Sequence, residues 1–161
     1  MKKCIFVVLV SSVLGFANQG ETMQVIEKAG SLGSFKGDSK IFSGDVQVYM
    51  MFKANVFRDF SGALVEFSKG ARSAWHTHPK GQTLIVTEGE IITKVPGQKA
   101  SIAKKGDVIS CPVGVEHFHS ATDSMHGSHI ALTGEIDGKN AKWHQKVSDI
   151  EYKEALKEAR E

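Results

Sequence analysis

The sequence predicts an all-β fold, a barrel or sandwich of short strands with an N-terminal arm and one short C-terminal helix. Three observations predict it. Eight short runs of β-type composition follow one another between residues 46 and 133. Turn pairs that contain glycine, such as Pro96-Gly97 and Lys105-Gly106, separate many of these runs. A capping box that precedes a predicted helix stands near the end of the chain, at residue 148. Short strands at near-regular spacing are typical of sandwiches and barrels.

Length and composition narrow the class of protein. The 161 residues fit a single domain. Lysine and arginine number 20 against 18 acidic residues, and no basic run is interleaved with aromatic residues, so we expect no nucleic-acid partner. A hydrophobic content of 41% with 16 glycines and 3 prolines is that of a globular, turn-rich chain.

Residues 1–17 have the pattern of a secretory signal peptide. Lys2 and Lys3 precede an apolar run over 4–14, and small residues at 15 and 17 predict cleavage before Asn18. The alternative is an uncleaved anchor, but the run is shorter than the roughly 20 residues that span a bilayer. We therefore expect a periplasmic or secreted protein with no membrane contact after cleavage. Intact-mass measurement would check the new N-terminus, and a species that still starts at Met1 would contradict cleavage.

The elements follow in chain order. Residues 18–45 are polar and rich in glycine, which predicts a loose N-terminal arm. The barrel is predicted over 46–147, and its strands are expected at 46–52, 62–67, 83–87, 90–95, 99–103, 107–111, 115–119 and 128–133. Residues 148–161 form the helix. Ser148 and Glu151 are spaced as a capping box, with Val147 and Tyr152 as its hydrophobic staple.

Six of the seven histidines fall between residues 76 and 129. His76 and His78 are two residues apart, as are His117 and His119, so the members of each pair face the same side of a strand. Gln82 follows His78 across a Pro-Lys-Gly bend. Imidazoles that converge inside a barrel suit a divalent transition metal. His119 is either a further polar group in the cavity or a partner of a ligand, and the residues alone leave both open.

His76, His78 and His117 belong to two longer motifs that have glycine at fixed positions. The first has the spacing Gly70-x5-His76-x-His78-x3-Gln82-x6-Gly89, and the second Gly106-x5-Pro112-x-Gly114-x2-His117. Both resemble the motifs of the cupin family, over about residues 46–147. Gln82 stands where the motif usually has glutamate, and Ala121 where it usually has asparagine. The resemblance implies a cupin jelly-roll β-barrel.

Within that family the chain is similar to the bacterial cupin hydroxynitrile lyases, of the (R)-mandelonitrile lyase type. The similarity runs through Gly70–Thr87, Glu116–His119, Ser128–Ala131 and the tail from Asp137 to Trp143. It implies that His76, His78, Gln82 and His117 are ligands of one metal ion, with Mn(II) the usual ion and Fe, Ni or Zn possible. It also implies a homodimer. The implied acid/base is His129, and the implied substrate-pocket residues are Ala63, Val65, His119 and Thr133.

The preferred function is metal-dependent lyase chemistry on a small hydroxylated or carbonyl substrate. Three imidazoles and an amide carry no negative charge, so a bound ion keeps its full 2+ charge and favours anionic ligands such as cyanide or alkoxide. The same donors suit higher oxidation states less well, which weakens an oxygenase alternative. A metal or small-ligand binder without turnover is the third alternative. Thr133 departs from the family's pocket glutamine, so we expect weak cyanohydrin cleavage that Thr133→Gln improves.

Overall fold

A computed structural model describes residues 24–161. They form twelve strands and one helix. The bounds are β1 Ser34–Lys36, β2 Phe42–Ser43, β3 Val46–Phe52, β4 Phe60–Phe67, β5 Arg72–Ser73, β6 His76–Thr77, β7 Gln82–Lys94, β8 Ser101–Lys104, β9 Val108–Cys111, β10 Phe118–Ala121, β11 Gly127–Gly134, β12 Lys142–Trp143 and α1 Asp149–Arg160. This confirms the predicted all-β fold with a single C-terminal helix in the described part of the chain. The predicted signal peptide and the first residues of the arm lie outside the described residues.

The sheet curls on itself around the long strand β7. The order is β1-β3-β4-β11-β7-β10-β5-β2, with β8 and β9 also paired to β7, and all of these pairs are antiparallel. The first half of β7 pairs with β11 and β9, and its second half pairs with β10 and β8. Because one strand belongs to both halves of the sheet, the inward-facing side chains of the two halves meet in one interior.

The predicted break between strands at 83–87 and 90–95 is wrong, because β7 continues through both. Gly89 instead bends the strand. It has a φ of +65°, and a Cβ atom there would lie 1.9 Å from the backbone oxygen of His126. Only glycine permits this conformation at so close a backbone approach. Gly89 therefore marks a bend within one strand and not, as predicted, a turn between two strands.

Two further expectations are corrected by short strands. The predicted arm contains β1 and β2, which pair with β3 and β5, so its last part belongs to the sheet. The predicted strand at 115–119 forms three residues later, as β10. Strands of two to four residues carry few alternating apolar residues, so their pairing has little signature in the sequence.

In the described part of the chain the core consists of two apolar clusters. The larger lies inside the barrel and includes Val46, Phe67, Leu84 and Ile91. The smaller lies where α1 packs on the second half of the sheet, and Trp75, Phe118, Tyr152 and Leu156 belong to it. The capping box of Ser148 and Glu151 is confirmed, and both staple residues are buried. The helix therefore covers part of the outside of the barrel. Within residues 24–161 no helix has the length and apolarity needed to cross a membrane.

Candidate metal centre

His76 and His117 are held side by side by their own backbones. They form an isolated antiparallel bridge in which each N–H donates to the other residue's carbonyl, at 2.9 and 3.0 Å. The two rings consequently lie 4.3 Å apart, centroid to centroid. The ring of His78 is 4.9 Å from that of His76 and 5.3 Å from that of His117. The structure therefore brings together the three histidines predicted as ligands.

Backbone carbonyls fix the tautomer of all three rings. The Nδ1 atoms of His76, His78 and His117 lie 2.9, 2.6 and 3.0 Å from the carbonyl oxygens of Ala74, Asn140 and Val115. A carbonyl oxygen can only accept, so each Nδ1 carries the proton and donates it. In a neutral imidazole this leaves a lone pair on Nε2. All three Nε2 atoms are therefore ready to bind a cation.

Four buried polar atoms at this place lack a hydrogen-bond partner among the described residues. They are Nε2 of His76, of His78 and of His117, together with Oε1 of Gln82. Buried polar atoms are rarely left without a partner, and each such case calls for an explanation. Imidazole nitrogen and amide oxygen are both metal donors. The predicted ligand residues thus fit a divalent ion, with no change of protonation.

His119 belongs to the same cluster. Ring nitrogens of His76, His117 and His119 lie within 4.8 Å of one another, a group that could hold a metal ion. The Nε2 atom of His119 also lacks a hydrogen-bond partner. Its Nδ1 atom, however, faces Nε2 of His129 at 3.3 Å and not a carbonyl. The two candidate ligand sets therefore share His76 and His117 and differ in His78 and His119.

The histidines of the cluster are neutral at neutral pH. Burial is the main cause: it lowers the pKa of His78 and His117, and it lowers the pKa of His76 and His119 well below the usual range. Repulsion from neighbouring imidazoles adds to the shift at His76 and His119. Neutral rings with a free lone pair are the form that a metal ion requires.

His129 lies beside His119 in the interior of the barrel. It is fully buried, and burial lowers its pKa to about 4. Its ring centroid is 4.8 Å from that of His119 and 5.6 Å from that of Phe67. The predicted pocket residue Val65 lies directly opposite it on β4, and Ala63 lies opposite Ala131. The predicted pocket residues on β4 thus lie on the strand next to His129, whose ring is also bordered by the rings of Phe67 and His119.

Three further polar or reactive side chains lie outside the histidine cluster. Arg72 donates to the carbonyl of Val147 and pairs with Asp149 at the start of α1, so it is engaged in holding the helix. Cys111 is buried, and burial raises the pKa of its thiol to about 11, so it is protonated at neutral pH. His126 is exposed beside Glu88 on an outer loop.

Two contributors to the site have no motif of their own. Trp143 on β12 pairs in register with His76, and its ring lies 4.7 Å from the imidazole. Asn140 contributes only its backbone carbonyl, to His78. The pairing of β12 with β6 brings the segment after β11, which contains both residues, next to the histidines. A carbonyl is present in every residue, so nothing in the sequence marks the ones that orient ligands.

Fold and site together define a β-barrel with a buried histidine cluster that can hold a metal ion. Residues 63–128 match the family described as Cupin domain. The chain is 38% identical over 128 residues to a protein of Granulicella tundricola named (R)-mandelonitrile lyase. The aligned stretch covers 80% of this chain and 98% of the relative. The chain belongs to the cupin family, as the two motifs predicted.

Solved structures agree with this assignment. A cupin-like protein from Thermotoga maritima is 37% identical and superposes with a TM-score of 0.71, over 82% of this chain and 97% of that one. The polyketide cyclase RemF from Streptomyces resistomycificus has a TM-score of 0.63 at 14% identity, over 81% of this chain and 92% of that one. The second comparison shows the shared fold alone.

Proposed function

We propose that this protein is a metal-dependent lyase that cleaves small cyanohydrins into an aldehyde and cyanide. Its single divalent ion is held by His76, His78, Gln82 and His117. The observation that carries the proposal is a set of four buried donor atoms without a hydrogen-bond partner among the described residues. Three are Nε2 atoms whose lone pairs the fixed tautomers leave free, and the fourth is the amide oxygen of Gln82. The reaction is proposed because a relative covered over 98% of its length is named (R)-mandelonitrile lyase.

The proposed ion is Mn(II), and Fe, Ni or Zn also suit these donors. When bound, it would supply a Lewis acid with an undiminished 2+ charge, which favours oxyanions and cyanide. His119 is proposed as a pocket residue and not as a ligand. Its Nδ1 is engaged with His129, whereas the other three histidines share the carbonyl-bound arrangement.

His129 is proposed to move the proton. As a neutral imidazole it accepts the hydroxyl proton of the cyanohydrin while the bond between the carbinol carbon and the nitrile carbon breaks. The electron pair of that bond leaves with cyanide, the carbinol carbon becomes a carbonyl, and the proton returns to cyanide as HCN. Nε2 of His129 is held by His119, so Nδ1 is the atom free for this transfer.

The test is cyanide release from mandelonitrile by the Mn-loaded protein, with the metal-free protein as control. Release above the metal-free rate, together with the reverse addition of cyanide to benzaldehyde, supports the proposal. A rate equal to that of the metal-free protein overturns the lyase function and leaves the metal site standing. Measurement of oxygen uptake with the same preparation separates the remaining alternatives, because an oxygenase consumes dioxygen and a binding protein does not.

A homodimer that lies outside the cytoplasm is proposed as the working form. An outer groove of about 650 Å³ is lined by Tyr49, Met51, Leu64, Ile130 and residues 27–30 of the arm. Strand β1 lies at the edge of the sheet beside it. Edge strands with unpaired backbone groups readily pair with another chain, so a second copy of this chain is the expected occupant.

We expect sedimentation velocity at micromolar concentrations to give the mass of a dimer. Met51→Glu places a charge in the groove and is expected to shift the protein toward the monomer. Ile150→Glu is the matched control, because Ile150 is exposed on the helix, outside the groove. A wild-type protein that sediments as a monomer contradicts the dimer.

A further inference from the structure

Gln82 and Thr133 lie directly opposite each other, at the start of β7 and near the end of β11. Nε2 of Gln82 donates a hydrogen bond to Oγ1 of Thr133 at 3.0 Å. Thr133 is buried, with 6% of its surface exposed. Oε1 of Gln82, at the other end of the same amide, is buried and has no hydrogen-bond partner within residues 24–161. One end of the amide is thus anchored by Thr133, and the other end is free.

The two ends of an amide differ in what they can bind. The carbonyl oxygen has lone pairs for a cation, whereas the NH2 group has only donor hydrogens and repels one. The two ends are nearly the same size, so packing alone does not select between them. A hydroxyl that accepts from the NH2 group satisfies that end of the amide. This leaves the oxygen as the end that is free to bind a cation.

The anchor point is itself rigid. Residues that flank the pair are tied together by their backbones: the N–H of Gly134 donates to the carbonyl of Gly81 at 3.2 Å, and the N–H of Glu135 donates to that of Asp59 at 2.9 Å. The Gln82 amide also lies close to His78, where it partly opposes the lowering of the pKa of that histidine by burial. The amide oxygen is thus placed next to a predicted ligand.

We propose that Thr133 is a positioning residue, whose hydroxyl holds the Gln82 amide with Oε1 directed into the metal site. The inference rests on the proposed metal site and adds a function for Thr133 beyond lining the substrate pocket. It also changes the expectation for Thr133→Gln. That variant restores the family's pocket amide but removes the hydroxyl from Gln82, so its two effects oppose each other.

The experiment compares Thr133→Val, which keeps the shape and loses the hydroxyl, with Thr133→Ser, which keeps the hydroxyl. Each full-length protein is purified without a metal-chelating tag, and Mn(II) affinity is measured by titration. We expect Thr133→Val to bind Mn(II) about 10-fold more weakly, as is typical for the loss of a group that orients a ligand. Thr133→Ser is expected to retain the wild-type affinity.

Two readouts separate orientation of the amide from general damage to the fold. The Co(II)-substituted Thr133→Val protein should show the same change in its visible spectrum as Gln82→Ala, because in both variants the amide oxygen no longer binds the ion. In the Gln82→Ala background, Thr133→Val should cause no further loss of affinity, since two changes that act through one contact are not additive. Thr133→Ala is the second variant without the hydroxyl and should match Thr133→Val.

Wild-type affinity and spectrum in Thr133→Val overturn the inference, as does a loss confined to Thr133→Ala, which would reflect packing. A full further loss from Thr133→Val in the Gln82→Ala background also overturns it. Failure of the wild-type protein to bind any divalent metal is a different result. It would overturn the proposed metal site itself.

Discussion

Replacement of His76 or His117 by alanine is expected to remove the metal ion from most chains. Both residues belong to each ligand set that the cluster permits, and a backbone bridge holds their rings side by side. Loss of a group that merely orients a ligand typically weakens metal binding 10- to 100-fold, so the loss of a ligand should weaken it by more than about 100-fold. Metal content of protein purified without a chelating tag measures the effect.

The same measurement decides between His78 and His119. Nδ1 of His78 donates to a backbone carbonyl, as do those of His76 and His117. His78→Ala is therefore expected to lose the metal, as the alanine variants of the other two histidines do. His119→Ala is expected to retain one ion per chain, since its Nδ1 is engaged with His129. Gln82→Ala should have a smaller effect than any of the three ligand histidines, because an amide is the weakest donor of the set.

His126→Ala serves as the control for these variants, because His126 lies on an outer loop and is paired with Glu88. It should bind metal as the wild type does. Equal metal content in the wild type and in His76→Ala would contradict the assigned site. The opposite ordering, with His119→Ala empty and His78→Ala occupied, would replace His78 by His119 in the ligand set and keep the centre where it is.

His129→Ala is expected to lower the rate of cyanohydrin cleavage by about 100-fold or more, the usual contribution of a general acid or base. Metal content should be unchanged, because Nε2 of His129 faces His119 and His129 is not in the group of ring nitrogens within 4.8 Å of one another. A fall in turnover without loss of metal therefore separates a role in proton transfer from a role in metal binding. Cyanide release from mandelonitrile is the measurement.

His129 is fully buried, so its removal can disturb the barrel. His129→Gln, which fills more of the same space and keeps polar atoms, is the companion variant and should show the same loss of turnover. Unfolding curves of both variants, compared with those of the wild type, report any loss of stability. If both variants fold, keep the metal and turn over at the wild-type rate, His129 is not the acid/base. His126→Ala is again the control.

The sequence by itself determined the type of fold and the location of the site. Strand-forming runs separated by glycine turns predicted the barrel, and Ser148 with Glu151 predicted where the helix begins. The resemblance to the cupin motifs implied that His76, His78, Gln82 and His117 lie together. These features follow from local rules: two-residue periodicity along a strand, positive φ at glycine, and a side chain that caps the next turn.

Tertiary structure alone decided how the donors are prepared for a metal ion. The proton on Nδ1 of His78 is fixed by the carbonyl of Asn140, 62 residues further along the chain. The amide of Gln82 is anchored by Thr133, 51 residues away, and His119 meets His129 across the barrel. Each contact depends on which strands pair and in which register. Local composition does not encode a partner so distant, and a backbone carbonyl has no identity in the sequence, so the protonation and orientation of the ligands appear only in the folded barrel.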